Sequence, residues 1–92
     1  MINAPRYRRN PGVGETRIEN DVFLVEPGTD EVFYLDATGA ALWRLLSEPR
    51  TPDEIEAVFA AAFPDVPRDR LGRDLAALLA DLAARNLVVA AE

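Results

Sequence analysis

The chain has 92 residues, 49% of them apolar and 28% charged, and its sixteen acidic and ten basic side chains leave a net charge of −6. It has no Cys, His, Lys or Gln and only one serine, Ser47, which excludes disulfide scaffolds, thiol chemistry, Cys/His zinc sites, Ser-His catalysis and lysine Schiff bases. No apolar run approaches the roughly 18 residues of a membrane span, and the N-terminus lacks the apolar core of a signal peptide, so the default location is cytoplasmic.

Residues 1–12 hold Arg6, Arg8 and Arg9 among Pro5, Pro11 and Gly12, and read as a flexible basic arm ahead of a single domain over 13–92. Three short β-like runs follow. In "TRIEN" Thr16 and Ile18 share one face and Arg17 and Glu19 the other, and Asn20-Asp21 reads as a two-residue turn. "VFLVE" (Val22 to Glu26), the turn "PGTD" (Pro27 to Asp30) and "EVFYLD" (Glu31 to Asp36) complete an antiparallel meander.

Three helices come next. Asp36 or Thr38 caps the first, Leu42, Trp43, Leu45 and Leu46 form its buried stripe, and Gly39 marks a close approach to a neighbouring backbone. Pro49 pushes its preceding residue out of the helical region. Thr51-Pro52-Asp53-Glu54 combines a capping box with proline at the first helical position, and Ile55, Val58, Phe59 and Ala62 form one apolar face up to Pro64. The third helix runs from about Pro67 or Arg68 to Arg85 on a stripe of Leu71, Leu75, Leu78, Leu79 and Leu82. Asn86 ends it left-handed, and "LVVAA" is an extended tail.

The apolar surface exceeds what a one-sided sheet requires. A half-wet strand alternates apolar and polar residues, yet Val22 and Leu24 oppose Phe23 and Val25, and Val32 and Tyr34 oppose Phe33 and Leu35. Either the helices wrap both faces, or the last strand and last helix flank a groove for an extended peptide, or the free edge pairs with a second copy. Only carboxylates, Arg, Thr and Tyr remain for chemistry, and carboxylate catalysis needs a deep pocket that a domain this small rarely forms. The expectation is a non-enzyme without cofactor or metal. All ten positive charges are Arg, most beside an Asp or Glu, which argues against nucleic acid.

"VFYLDATGAALWRLL", followed by "RTPDEIEAVFAAAFPDV" and "LGRDLAALLADLAARNLV", resembles the PqqD-like family of peptide-recognition modules over Arg17 to Val89. Its most specific element is Leu35-Asp36-Ala37-Thr38-Gly39-Ala40 with Leu42-Trp43 and Leu45-Leu46. The resemblance implies an α+β, winged-helix-like domain with a three-stranded antiparallel sheet followed by three helices. It further implies a non-catalytic adaptor that binds the leader of a ribosomal precursor peptide as an added antiparallel strand and presents it to a modifying enzyme. In the founding pathway that enzyme is a radical SAM protein making pyrroloquinoline quinone. Carried over by position, the edge would be Val32, Phe33, Tyr34 and Leu35, and the facing helix would offer Arg70, Leu71, Arg73, Asp74 and Leu78. Leu71 and Leu78 could equally be core, and Arg70 and Arg73 a solvated face paired with Asp69 and Asp74. Trp43 and Phe59 read as core. Asp36 stands where members from pyrroloquinoline quinone clusters commonly have Asn, which leaves the pathway open. The rivals are a winged-helix DNA regulator reading with Arg68, Arg70 and Arg73, whose patch Asp65, Asp69 and Asp74 interrupt, and a protein–protein module or homodimer formed by strand exchange.

Overall fold

A computed structural model describes residues 5–91. The meander forms as β2 (Gly14–Ile18), β3 (Asp21–Val25) and β4 (Val32–Leu35), an antiparallel sheet in the order β2-β3-β4. The helices are α1 (Ala37–Leu45), α2 (Pro52–Ala62) and α3 (Arg68–Ala84). The architecture is therefore the expected α+β arrangement of a three-stranded sheet followed by three helices.

Part of the expected flexible arm is instead a strand. β1 (Arg6–Arg9) pairs antiparallel with the C-terminal tail, which forms β5 (Val88–Ala91). Tyr7 also exchanges both backbone bonds with Arg50, at 2.8 and 3.0 Å, and Asn10 Nδ2 donates to the Asn86 carbonyl at 2.7 Å. The basic side chains gave no strand signal. The order comes from long-range backbone pairing that composition does not encode. Residues 1–4 of the arm, and residue 92 at the end of the expected domain, lie outside the described residues.

Local chemistry sets the element boundaries. Asp36, rather than Thr38, caps α1, accepting from the Gly39 N–H at 2.8 Å. Thr51 and Glu54 form the reciprocal capping box of α2, with bonds of 3.2 and 2.8 Å. Asn86 adopts φ 61°, and the N–H groups of Asn86 and Leu87 return to the carbonyls of Ala83 and Leu82 at 3.0 Å each, a Schellman ending for α3. The β2–β3 turn is one residue earlier than expected, at Glu19-Asn20, with Glu19 at φ 58°.

The core gathers Val22, Leu24, Leu35, Leu42, Trp43 and Leu46 with Ile55, Phe59, Leu71, Leu75, Leu79, Leu82 and Leu87. Of the face expected on α2, only Ile55 and Phe59 are buried. Val58 and Ala62 are exposed because α1 and α3 cover only part of the helix circumference. The helices also cover only one face of the sheet. Register places Glu15 and Arg17 beside Leu24 and Val22 on that covered side, and Thr16 and Phe23 on the open side. Glu15 earns its place there by accepting the Trp43 indole N–H at 2.8 Å.

Candidate functional site

β4 is an edge strand, paired to β3 alone among the described strands. Its alternation is strict. Phe33 is half-buried and Leu35 buried toward the helices, whereas Val32 and Tyr34 are exposed. The backbone phase follows from the Glu26 N–H, which donates to the Glu31 carbonyl at 2.9 Å. Ladder bonds alternate along an antiparallel pair. Phe33 and Leu35 therefore bond back to β3, and Val32 and Tyr34 aim their N–H and C=O groups at the open edge.

Facing that edge is an open groove of about 450 Å³ between β4 and the C-terminal half of α3. Phe33, Leu35, Leu78, Leu82 and Leu87 supply its apolar walls, Gly39 its base, and Asp36, Asp81 and Arg85 its polar groups. A Cβ on Gly39 would meet Leu35 Cδ2 at 3.3 Å and Asp36 Oδ1 at 3.4 Å. The close approach foreseen at this glycine is thus to a side chain rather than to a backbone. The Arg85 guanidinium lies 4.8 Å from the centroid of the Phe33 ring and bonds Asp81 at 3.1 Å. It forms a partial roof at the Val32 end.

One anchor ties the strand to the helix, and a second steadies β4 on β3. The buried Glu26 carboxylate accepts from the backbone N–H of Gly28 and of Thr29 and from the Thr29 hydroxyl, each at 2.9 Å, and from Asn86 Nδ2 at 3.4 Å. The β3–β4 turn is thereby tied to the end of α3. The Gly28 backbone bond, with help from Thr29, holds this carboxyl below its ordinary value. At the outer corner the Tyr34 hydroxyl donates to Asp21 at 3.1 Å, and this bond raises the phenol above its usual range.

The structure brings together Val32, Phe33, Tyr34, Leu35 and Leu78 of the residues singled out from sequence. The other four lie elsewhere. Arg70, Leu71 and Asp74 line a separate hollow with Thr38 and Phe59, past the end of β4. Leu71 is core, Arg70 forms an exposed i,i+4 pair with Asp74 at 3.7 Å, and the exposed Arg73 has no ion pair among the described residues. The reason is one of length and direction. The 17 residues of α3 span about 25 Å and the four of β4 about 13 Å, so only half of the helix can flank the strand. Arg85 lies over Phe33 of β4, whereas Arg70 and Asp74 share a hollow with Thr38, which follows β4 in the chain; the two elements therefore run in opposite senses, and the flanking half is the C-terminal one. Sequence reasoning did not place Asp36, Gly39, Asp81, Leu82, Arg85 or Leu87 at this groove. The Asp81–Arg85 i,i+4 spacing just before the Asn86 terminator was the signal that could have found the polar pair.

Residues 15–88 match the PqqD family, coenzyme PQQ synthesis protein D. The chain is similar in structure to TbiB1 solved in complex with the TbiA(β) leader peptide. The TM-score is 0.79, with 33% identity over 88% of this chain and 93% of that one. It shares its fold with lasso peptide synthetase B1 complexed with the leader peptide, at TM-score 0.74 and 24% identity over 90% of this chain and 96% of that one. No curated protein matches.

Proposed function

The chain belongs to the PqqD family, and from that premise we propose that it is a non-catalytic adaptor that binds the leader of a ribosomal precursor peptide. The leader adds as an antiparallel strand to β4, bonding the outward N–H and C=O groups of Val32 and Tyr34. Its alternate side chains enter the groove against Leu78 and Leu82. The observation that carries this reading is the unpaired edge of β4 standing opposite an apolar helix wall, in a chain one-third identical to a protein solved with a leader peptide. Because β4 and α3 are opposed, an antiparallel peptide runs from the Leu35 end toward Arg85. Leader residues preceding the paired segment would reach the hollow of Thr38, Arg70, Leu71 and Asp74, which gives those residues a place at the extended end of the site. Chemistry on the peptide belongs to a partner, a modifying enzyme such as a radical SAM protein, to which the adaptor presents its cargo.

A DNA-reading role has less support. Arg68 is held by Glu56 at 3.4 Å and Arg70 by Asp74, so two of the three arginines of that helix already face carboxylates. No described helix is long and apolar enough to cross a membrane.

The test is a backbone amide NMR titration with the leader half of a short precursor encoded nearby. Shifts concentrated on Val32, Tyr34, Leu78, Leu82 and Arg85 are expected. Saturating shifts confined to the α1–α2 side, or silence with every such leader, would overturn the reading.

A further inference from the structure

The face of the sheet turned away from the helices is uncovered and apolar. Register puts Ile18, Phe23, Val25, Val32 and Tyr34 on it. Ile18, Val32 and Tyr34 are 56%, 63% and 58% exposed, three of the five large exposed hydrophobics among the described residues. Phe23 and Tyr34 sit across from one another with ring centroids 5.4 Å apart, so the patch is continuous across β3 and β4, with Ile18 of β2 beside it, opposite Asp21. An exposed apolar surface organised in this way marks an interaction site rather than scattered surface apolarity.

The charges around the patch have one sign. Glu19 and Asp21 stand at the β2–β3 turn, and Asp30 and Glu31 at the β3–β4 turn. Arg17 is the only cation on these three strands, and it is turned to the other face, onto Glu15 at 2.6 Å. A second copy of this chain would set acidic rim against acidic rim and add −6 to −6. The complementary surface is apolar with a rim of Lys and Arg.

We propose that this outer face docks the folded modifying enzyme through an apolar patch ringed by basic residues, and that it does so best when the adaptor is loaded. The inference rests on the leader-binding reading. β4 belongs to both surfaces: its backbone edge takes the peptide, and its outward side chains, Val32 and Tyr34, lie on the patch. A peptide strand added beyond β4 turns every second side chain onto the same face and widens the sheet from three strands to four. The partner then reads adaptor and cargo together, which couples recognition of the leader to delivery of the peptide.

The experiment measures, by biolayer interferometry, binding of the purified enzyme that modifies the cognate precursor to the full-length adaptor, with and without the leader. Leader affinity is measured separately by calorimetry. Ile18→Arg places a cation in the patch opposite Asp21 across the β2–β3 pair, which suits the fold but repels a basic rim. Phe23→Thr removes apolar surface while keeping a strand-forming residue. Each variant is expected to weaken enzyme binding at least tenfold and to leave leader affinity within twofold, while Val58→Thr on the far side changes neither. The leader is expected to strengthen enzyme binding to the wild-type adaptor, and Glu31→Arg to slow association and flatten its salt dependence. Unchanged enzyme binding in both patch variants with leader binding intact would overturn this inference alone. So would a wild-type homodimer that Ile18→Arg dissociates. An adaptor that binds no leader would instead overturn the reading beneath it.

Discussion

The guanidinium of Arg85 lies 4.8 Å from the centre of the Phe33 ring, joining the C-cap of α3 to the middle of the edge strand across the mouth of the groove. A cation over an aromatic face at a partly solvated position contributes about 0.5–1 kcal/mol. The Asp81 carboxylate at 3.1 Å holds the guanidinium in place. Removing Arg85 and Phe33 singly and together should give a coupling free energy of that size in urea unfolding. Arg85→Lys should recover less than half, because an ammonium cannot stack flat on the ring.

Proline separates the two edges of β4. At Val32 it removes a donor aimed at the open edge, where proline is tolerated, whereas at Phe33 it removes a ladder bond to β3. Val32→Pro should leave the circular dichroism spectrum intact and lower leader affinity about 3- to 10-fold, the worth of one net hydrogen bond. Phe33→Pro should lower the melting temperature markedly. Leader affinity unchanged in Val32→Pro would exclude strand addition at this edge.

Leu71 and Leu78 lie seven residues apart on one helix stripe and have different roles. Leu71 is core, so Leu71→Ala should destabilise the fold by about 2–5 kcal/mol while the folded fraction still binds the paired segment of the leader. Leu78 is only half-buried and lines the groove. Leu78→Asp should cost less stability than Leu71→Ala and weaken leader binding at least tenfold, as read by calorimetry.

Three carboxyls make the fold sensitive to acid. Glu15 is held below its ordinary value chiefly by the Trp43 indole N–H and then by Arg17, Glu26 by the Gly28 N–H, and Glu54 by the Thr51 N–H. Each folded-state value lies below the unfolded one. The stabilisation is therefore fully present above the ordinary carboxylate value of 4.5 and is lost as pH falls through the depressed values. Thermal melts should be flat from neutral pH down to about 5 and fall steeply below 4.5. Glu15→Gln keeps an acceptor for Trp43 but loses the charge, and it should melt lower at neutral pH with a shallower acid limb.

Much of the fold was legible because its signals are local. The Thr51–Glu54 capping box, the Asn86 terminator and the Pro27–Asp30 turn each act within a few residues, and each stands where the sequence put it. The Leu35 to Leu46 junction carried the family resemblance. The doubly apolar alternation of β3 and β4 is realised as one buried and one open face. The helix wall of the groove was less legible. Leu78 lines the groove, but Arg70, Leu71, Arg73 and Asp74 sit beyond the strand, because stripe periodicity shows which side of a helix is apolar and not which turn meets a given strand.

The sequence by itself determined the order and kind of the three meander strands and the helices, the excess of apolar surface on the last two strands, and the lack of nucleophiles and metal ligands of the Cys and His type. Those properties follow from side-chain chemistry and short-range periodicity. Only the tertiary structure decided that Arg6–Arg9 closes against Val88–Ala91, that Asp81, Leu82 and Arg85 face β4, and that Ile18, Val32 and Tyr34 remain exposed. The physical reason is that pairing and docking between distant segments depend on backbone bonds, element lengths and relative direction. A backbone N–H looks the same at every residue, so nothing in its own stretch of sequence records which distant carbonyl it will meet.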